Sequence, residues 1–168
     1  FLLQTVSGTS TSHTIGSASN FNTTYDDYMI TGTAVNLSIA QALAFLMTTG
    51  GVERGVNYSL ISYGYGSDGT LNKTSNSDYS YAFISGGNHL VANDAAECNF
   101  QLYFSNPTNT TFRHNVGGHV TYESSAGYSN RHSFSAFNSN TGALTAFKFK
   151  PASSGNITAI LKLYGLQK

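Results

Sequence analysis

Phe100-Gln101-Leu102-Tyr103-Phe104-Ser105-Asn106-Pro107 is the stretch that decides the fold. Phe100, Leu102 and Phe104 stand two apart with Gln101 and Tyr103 between them, the period of a strand with one face buried and the other turned to water. The stop is built in: Ser105-Asn106 is turn chemistry, and Pro107 brings no N–H to a ladder.

Similar signals lie on both sides of it. Upstream, Tyr28 and Ile30 and then Val35, Leu37 and Ile39 predict two extended stretches broken near Gly32 by a bulge or bend. Residues 44–48 lead through Gly50-Gly51 into Val56, Tyr58, Leu60 and Ser62, predicting a hairpin with a glycine-bearing loop. Tyr79, Tyr81 and Phe83 alternate before Gly86-Gly87. Downstream, Val116, Val120 and Tyr122 flank Gly117-Gly118, and each glycine pair is expected to mark a turn or bulge. Residues 134–137, then Leu144, Phe147 and Phe149, then Ile157, Ile160, Leu161, Leu163 and Leu166 supply the last strands. Residues 138–142 and 151–156 separate them with turn chemistry. Only residues 38–47 carry helix propensity, as the alternative to a strand there.

About eight to ten short strands with turns between them fit an all-β sandwich or closed barrel, and the fold expected is an antiparallel β-sandwich of jelly-roll type. At 168 residues the chain is long enough for one domain with a sizeable core between two sheets. No repeat of fixed period interrupts it. Composition agrees, since only 10% of residues are charged and Ser, Thr, Asn and Gly carry the polarity. An ordinary soluble domain has roughly 25% charged residues.

Several functions are excluded on the same grounds. The formal net charge is zero and the eight basic residues are scattered, with only Lys148 and Lys150 close together on one strand face. A nucleic-acid groove needs a concentrated positive stripe, so no nucleic-acid partner is expected. The longest apolar run, 42–47, is far short of the roughly 20 residues of a membrane-spanning helix, so no membrane insertion is expected. The lone Cys98 closes no intrachain disulfide and reads as a buried strand thiol. The chain starts at Phe1 without a signal peptide pattern and is expected to be a processed chain or a piece of a longer one.

Motifs for nucleotide binding, hydrolase nucleophiles, zinc proteases and redox cysteines are all missing, so an enzyme is not expected. No two of His13, His89, His114, His119 and His132 stand at i and i+2, where one strand face would present both imidazoles to a metal. Asp26-Asp27 and the pair Asp68 and Asp78 lack the calcium-loop pattern and read as solvated carboxylates. No cofactor or metal is expected. Six N-x-[ST] triplets, headed by Asn22, Asn36, Asn57, Asn72, Asn109 and Asn156, barely exceed what this Asn-, Ser- and Thr-rich composition gives by chance.

Tyrosine is the informative residue, with eleven copies. The stretch 64–78, rich in Gly, Ser, Asn and Asp, is expected to be the longest loop, with Tyr63 and Tyr65 before it and Tyr79 and Tyr81 after it. Rings beside polar groups can stack on a sugar while amides and carboxylates bond its hydroxyls. The candidate ligand-binding set is therefore Tyr63, Tyr65, Asp68, Asn72, Asp78, Tyr79 and Tyr81. The same pattern also serves a core, and the absence of Trp weakens the sugar reading.

Three stretches, Leu43-Ala44-Phe45-Leu46-Met47-Thr48-Thr49-Gly50-Gly51 running on to Gly55-Val56-Asn57-Tyr58, the strand 100–107, and Ser153-Ser154-Gly155-Asn156-Ile157-Thr158 through Leu163-Tyr164-Gly165-Leu166, resemble a domain common in tailed-bacteriophage virion proteins. Tyr25-Asp26-Asp27-Tyr28 fits the same pattern. The resemblance covers most of the chain. It implies a β-sandwich at the C-terminal end of a tail fibre, spike or head-decorating protein, located on the particle and assembled as a homotrimer with other virion proteins. A trimer would also cover sheet edges. No catalytic residue carries over. The resemblance leaves two functions open, a fibre tip that binds host-surface glycan or receptor and a decoration or collar part with no ligand; a polysaccharide hydrolase is the third alternative.

Overall fold

The structure is a computed structural model and describes residues 1–85, 97–124 and 127–166, apart from the side chains of Asn72, Asn76 and Asp78. Among the described residues there are thirteen strands and no helix. They are β1 (Leu2–Ser10), β2 (His13–Ile15), β3 (Asp27–Leu37), β4 (Leu43–Thr49), β5 (Val52–Glu53), β6 (Tyr58–Gly66), β7 (Leu71–Tyr79), β8 (Ala82–Phe83), β9 (Cys98–Ser105), β10 (Asn115–Glu123), β11 (Ser129–Asn138), β12 (Leu144–Pro151) and β13 (Ile157–Leu166). That exceeds the expected eight to ten because β5 and β8 carry too few residues to show a period, and β1 and β7 have no buried face among the described residues to impose one.

All pairings are antiparallel. One sheet has eight strands in the order β1-β13-β3-β9-β10-β11-β6-β7; the other runs β2-β12-β4-β5, with β8 also paired to β4. The row β1-β13-β3-β9 facing β2-β12-β4-β8 is the winding of a jelly roll, and β10, β11, β6 and β7 extend the larger sheet beyond it. Residues 100–107 behave as their alternation demands: Phe100, Leu102 and Phe104 are buried, the strand ends at Ser105, and Asn106 turns with φ of 50°. The expected break near Gly32 is a bulge, since both neighbours of β3 lose register between Gly32 and Val35 or opposite it.

Three local expectations are corrected. First, Gly50-Gly51, both at positive φ, do close a two-residue turn, but the strand across it is Val52–Glu53. The next strand, β6, crosses to the other sheet. Second, residues 64–78 form no long loop: β6 and β7 pair from Tyr65↔Leu71 to Tyr58↔Tyr79 around a tight turn at 67–70. Asp68 holds that turn by accepting hydrogen bonds from the N–H (2.9 Å) and hydroxyl (2.9 Å) of Thr70, which keep its carboxyl below the usual carboxylate range. Third, Gly117-Gly118 make neither turn nor bulge, because β10 keeps register with both neighbours straight through them. The alternative of a helix over 38–47 is also displaced, as β4 begins at Leu43. Gly86-Gly87 and His89 lie outside the described residues.

The core is a ring cluster between the layers. Phe147 and Phe149 from β12 and Phe45 from β4 meet Phe104, Phe100 and Phe134 of the large sheet, with Phe104–Phe147 centroids 4.9 Å apart and Phe100–Phe149 5.1 Å apart. Tyr58 buries its ring there and its hydroxyl accepts the N–H of Met47 at 2.6 Å, so the phenol is satisfied; burial pushes its pKa up to about 12.

Cys98 is wholly buried on β9, and burial pushes its thiol pKa far up. A thiol-specific reagent is therefore expected to leave the native protein unlabelled and to react with one equivalent once it is unfolded. Labelling at the rate of a free thiol under native conditions would show that β9 does not sit as described.

The large sheet also buries a polar pocket of its own. On its inner face the Tyr122 hydroxyl lies 3.0 Å from the Ser85 carbonyl, to which it donates, and 3.3 Å from His132 Nε2. His132 Nδ1 and the Ser62 hydroxyl have no hydrogen-bond partner among the described residues. Desolvation pulls the His132 pKa below its ordinary 6.5, so the native state holds this ring neutral. Above pH 6.5 neither state binds the proton; below it the unfolded chain takes one up first, and stability falls until the pH reaches the depressed native value. Melting temperature is expected to drop on acidification from pH 6.5, and His132→Leu should flatten that part of the profile. An unchanged slope in the variant would assign the acid sensitivity elsewhere.

Candidate functional site

The outward face of the eight-stranded sheet is where exposed rings and amides gather. Odd-numbered positions of β9 point outward, so Gln101 and Tyr103 lie there, opposite His119 and Gly117 of β10. Tyr103 is 39% exposed, its hydroxyl donates to Gln101 Oε1 at 2.8 Å, and its ring lies 6.4 Å from that of His119.

Beside Tyr103 the loop 106–114 rises over the sheet and is tied down at several points. Asn106 N–H donates to the Asp26 carbonyl (2.7 Å), Leu144 N–H donates to the Pro107 carbonyl (2.7 Å), and His114 Nε2 donates to the Gly142 carbonyl (2.7 Å). Asn109 caps the loop from within, its Oδ1 accepting the N–H groups of Thr111 (2.7 Å) and Phe112 (2.9 Å). The Arg113 guanidinium lies 5.8 Å over the Phe137 ring. The outcome is a fixed loop whose Phe112 is left 70% exposed.

Between this loop and the ends of β3, β9 and β10 is a concavity of about 650 Å³, lined among others by Asp27, Tyr103, Asn109, Phe112, Arg113 and Asn115. A second hollow of about 610 Å³, over Ile61, Ser75 and Phe137, shares Asn115 and Ser135 with it. Together they make a trough running across β9, β10, β11, β6 and β7. An exposed ring flanked by a carboxylate, a guanidinium and amides suits a polyhydroxylated ligand, the ring taking a sugar's apolar face and the polar groups its hydroxyls.

Among the described lining residues Asp27 is the carboxylate, and it accepts a hydrogen bond from the Ser105 hydroxyl. Ser135 donates to Asn115 Oδ1 at 3.1 Å, and His114 Nε2 is committed to the Gly142 carbonyl.

The tyrosines singled out by the sequence divide into two places. Tyr63 and Tyr65 share the outward face of β6 and are 59% and 61% exposed, next to the trough. Tyr79 ends β7 and makes a T-shaped contact with Phe83 at 5.3 Å, and Tyr81 makes another with the same ring at 5.1 Å. Tyr81 also lies under Lys150, 5.5 Å from ring to ammonium, in a hollow at the smaller sheet beside the Lys148–Glu53 ion pair of 2.9 Å. Asp68 sits at the β6–β7 turn. Asn72 and Asp78 are on β7, and their side chains lie outside the described residues. Tyr103, Phe112, Arg113 and Asn115 were absent from the sequence-derived set. Outward placement of Tyr103 follows from its alternation, but nothing periodic marks Phe112.

Among the described residues, no group of three or more His, Cys, Asp or Glu side chains could hold a metal ion, and no helix is long and apolar enough to cross a membrane. No protein-family model matches the chain, and no curated protein matches it. Among solved structures it bears a weak likeness to the CBM2 module of the evolved Dit of Lactobacillus casei BL23 phage J-1. That superposition has a TM-score of 0.27 and 9% sequence identity, over 94% of this chain and 70% of that chain.

Proposed function

We propose that this domain is a non-catalytic glycan-binding module carried on the surface of a tailed-phage particle, where it attaches to host-surface carbohydrate. The observation that carries this reading is the braced loop 106–114, which holds Phe112 out beside Tyr103 over a trough lined by Asp27, Arg113 and Asn115. A large exposed ring on a loop anchored at both ends is the feature a sugar-stacking site needs, because little ordering entropy remains to be lost on binding. The placement on a phage particle is supported by the sequence stretches 43–58, 100–107 and 153–166 that resemble virion domains.

The experiment is binding of the purified protein to host-surface polysaccharides by calorimetry, with Phe112→Ala and Tyr103→Ala alongside. Each variant is expected to weaken binding by about 2 kcal/mol, roughly 30-fold, with the melting temperature unchanged for the exposed Phe112 and lowered slightly for Tyr103, which also packs beside His119. Polysaccharide binding that ignores both substitutions would move the site elsewhere. No binding to host cells or their polysaccharides by a folded protein would favour a decoration part without a ligand.

A further inference from the structure

The far end of the same sheet face has a composition of its own. On β6, Ile61, Tyr63 and Tyr65 point outward in succession and all are more than half exposed. Register puts a cation beside each tyrosine: Lys73 of β7 is directly opposite Tyr63, and Arg131 of β11 is directly opposite Tyr65. Ser133 completes the row on the other side of Tyr63, and Leu71 on the other side of Tyr65. Directly paired residues have Cβ atoms about 5 Å apart, so each ring and its cation form one contiguous patch.

Neither cation is neutralised by a described neighbour. The ion pair among the described residues is Lys148–Glu53, on the other sheet. Glu123 is the nearest outward-facing carboxylate in register, diagonal to Arg131 through the pair Thr121↔Arg131, and makes no ion pair with it. Asp68, at the β6–β7 turn, is occupied by Thr70. In a chain with only 10% charged residues, two cations without an ion pair among the described residues, one on each side of a strand that exposes two tyrosines, is a concentrated feature.

We infer that Tyr63, Tyr65, Lys73 and Arg131 form an anion-recognising subsite, and that the ligand of the trough is an acidic polysaccharide chain. This inference rests on the glycan-binding reading of the outer face and names the class of glycan. Tyr63 and Tyr65 offer apolar ring faces to successive sugars, while Lys73 and Arg131 take carboxylate or phosphate groups carried by those sugars. Arg131 presents a planar fork suited to either oxyanion, and Lys73 a compact point charge. The hollow over Ile61 and Ser75 shares Asn115 and Ser135 with the concavity beside Phe112, and Ile61 stands next to Tyr63 on the outward face of β6. From Tyr103 on β9 to Tyr63 on β6 is three strand spacings, about 14 Å, so the ligand that uses both ends is an extended chain rather than one sugar.

The test uses the whole protein with polygalacturonate, alginate, polysialate and glycerol-phosphate teichoic acid as acidic probes. Carboxyl-reduced polygalacturonate and dextran serve as neutral ones. Variants are the double substitution Arg131→Gln with Lys73→Gln, the double substitution Tyr63→Ala with Tyr65→Ala, and Phe112→Ala. All five positions are on the outward face or its loop, and the melting temperature of each variant verifies the fold. At least one acidic polymer is expected to bind about tenfold more tightly than the neutral ones, more weakly as salt is raised. The Arg131/Lys73 variant should remove that advantage while leaving neutral binding as it was. A uronate or sialate hit and a teichoic acid hit distinguish the carboxylate from the phosphate source. Equal binding of neutral and acidic polymers, or an acidic preference untouched in the Arg131/Lys73 variant, overturns the subsite while leaving the glycan reading intact. If no polymer binds and Phe112→Ala changes no interaction with host polysaccharide, both fail together.

Discussion

Phe147→Ala is expected to lower the unfolding free energy by about 3–5 kcal/mol, the range for emptying a fully buried aromatic site. Phe147 is fully buried on β12 and its ring meets four others, Phe104 at 4.9 Å, Phe45 at 5.9 Å, and Phe21 and Phe149 both at 6.4 Å. Phe104 belongs to the large sheet and Phe45 to the small one, so the cavity would open between the layers, where neither sheet can close it without bending. Phe147→Leu keeps much of the volume and should cost much less. Denaturant unfolding of the two variants checks both figures. A loss below about 1 kcal/mol for Phe147→Ala would mean that the layers are not joined through this ring.

A second large effect is expected from the smallest possible addition. At Gly118 a Cβ would come 2.0 Å from the carbonyl oxygen of Gln101 and 2.9 Å from the tip of the Phe134 ring. The first of these is backbone of the neighbouring strand, which can move only by separating β9 from β10. Gly118→Ala is therefore expected to destabilise by about 3 kcal/mol or to prevent folding, at the upper end of what overpacking does. Gly117→Ala provides the internal control, because its Cβ would be 3.5 Å from the nearest atom, the Phe134 carbonyl oxygen, an ordinary contact. Comparable losses from the two substitutions would contradict the strand approach described.

That pair of glycines also shows where sequence reading stops. A glycine pair in an extended region is read as a turn or bulge because glycine usually relieves backbone geometry. At Gly118 it relieves the crowding of a neighbouring strand instead, a contact that pattern cannot reveal. By contrast, Phe100, Leu102 and Phe104 were legible because one side of β9 is in the core and the other in water, so burial imposes the two-residue period. Asn106-Pro107 and the 138–142 and 151–156 separators were legible for a similar reason, since turn residues act locally.

Residues 64–78 were misread for lack of that contrast. β7 is an edge strand whose described side chains are all exposed or half-exposed, so no buried face imprints a period and its Gly, Ser, Asn and Asp content looks like a loop. What makes it a strand is the ladder to β6, a pairing rather than a residue property. The hairpin assigned to 44–62 fails similarly. Adjacency in sequence suggests pairing, yet the chain leaves β5 for the other layer. As for the candidate site, Tyr63 and Tyr65 could be placed on one exposed face by parity alone. Phe112 could not, because its exposure is the product of Asn109, Pro107 and His114 contacts that fix the loop.

The most direct measurement is a titration of the isotope-labelled protein with a bound host-surface polysaccharide, followed by backbone amide shifts in two-dimensional NMR. If the outer face binds glycan, the largest changes are expected at Tyr103, Phe112, Asn115 and Gly117, spreading towards Tyr63 and Tyr65 as the chain lengthens. Changes confined to the opposite sheet, around Tyr81, Lys148 and Lys150, would contradict it.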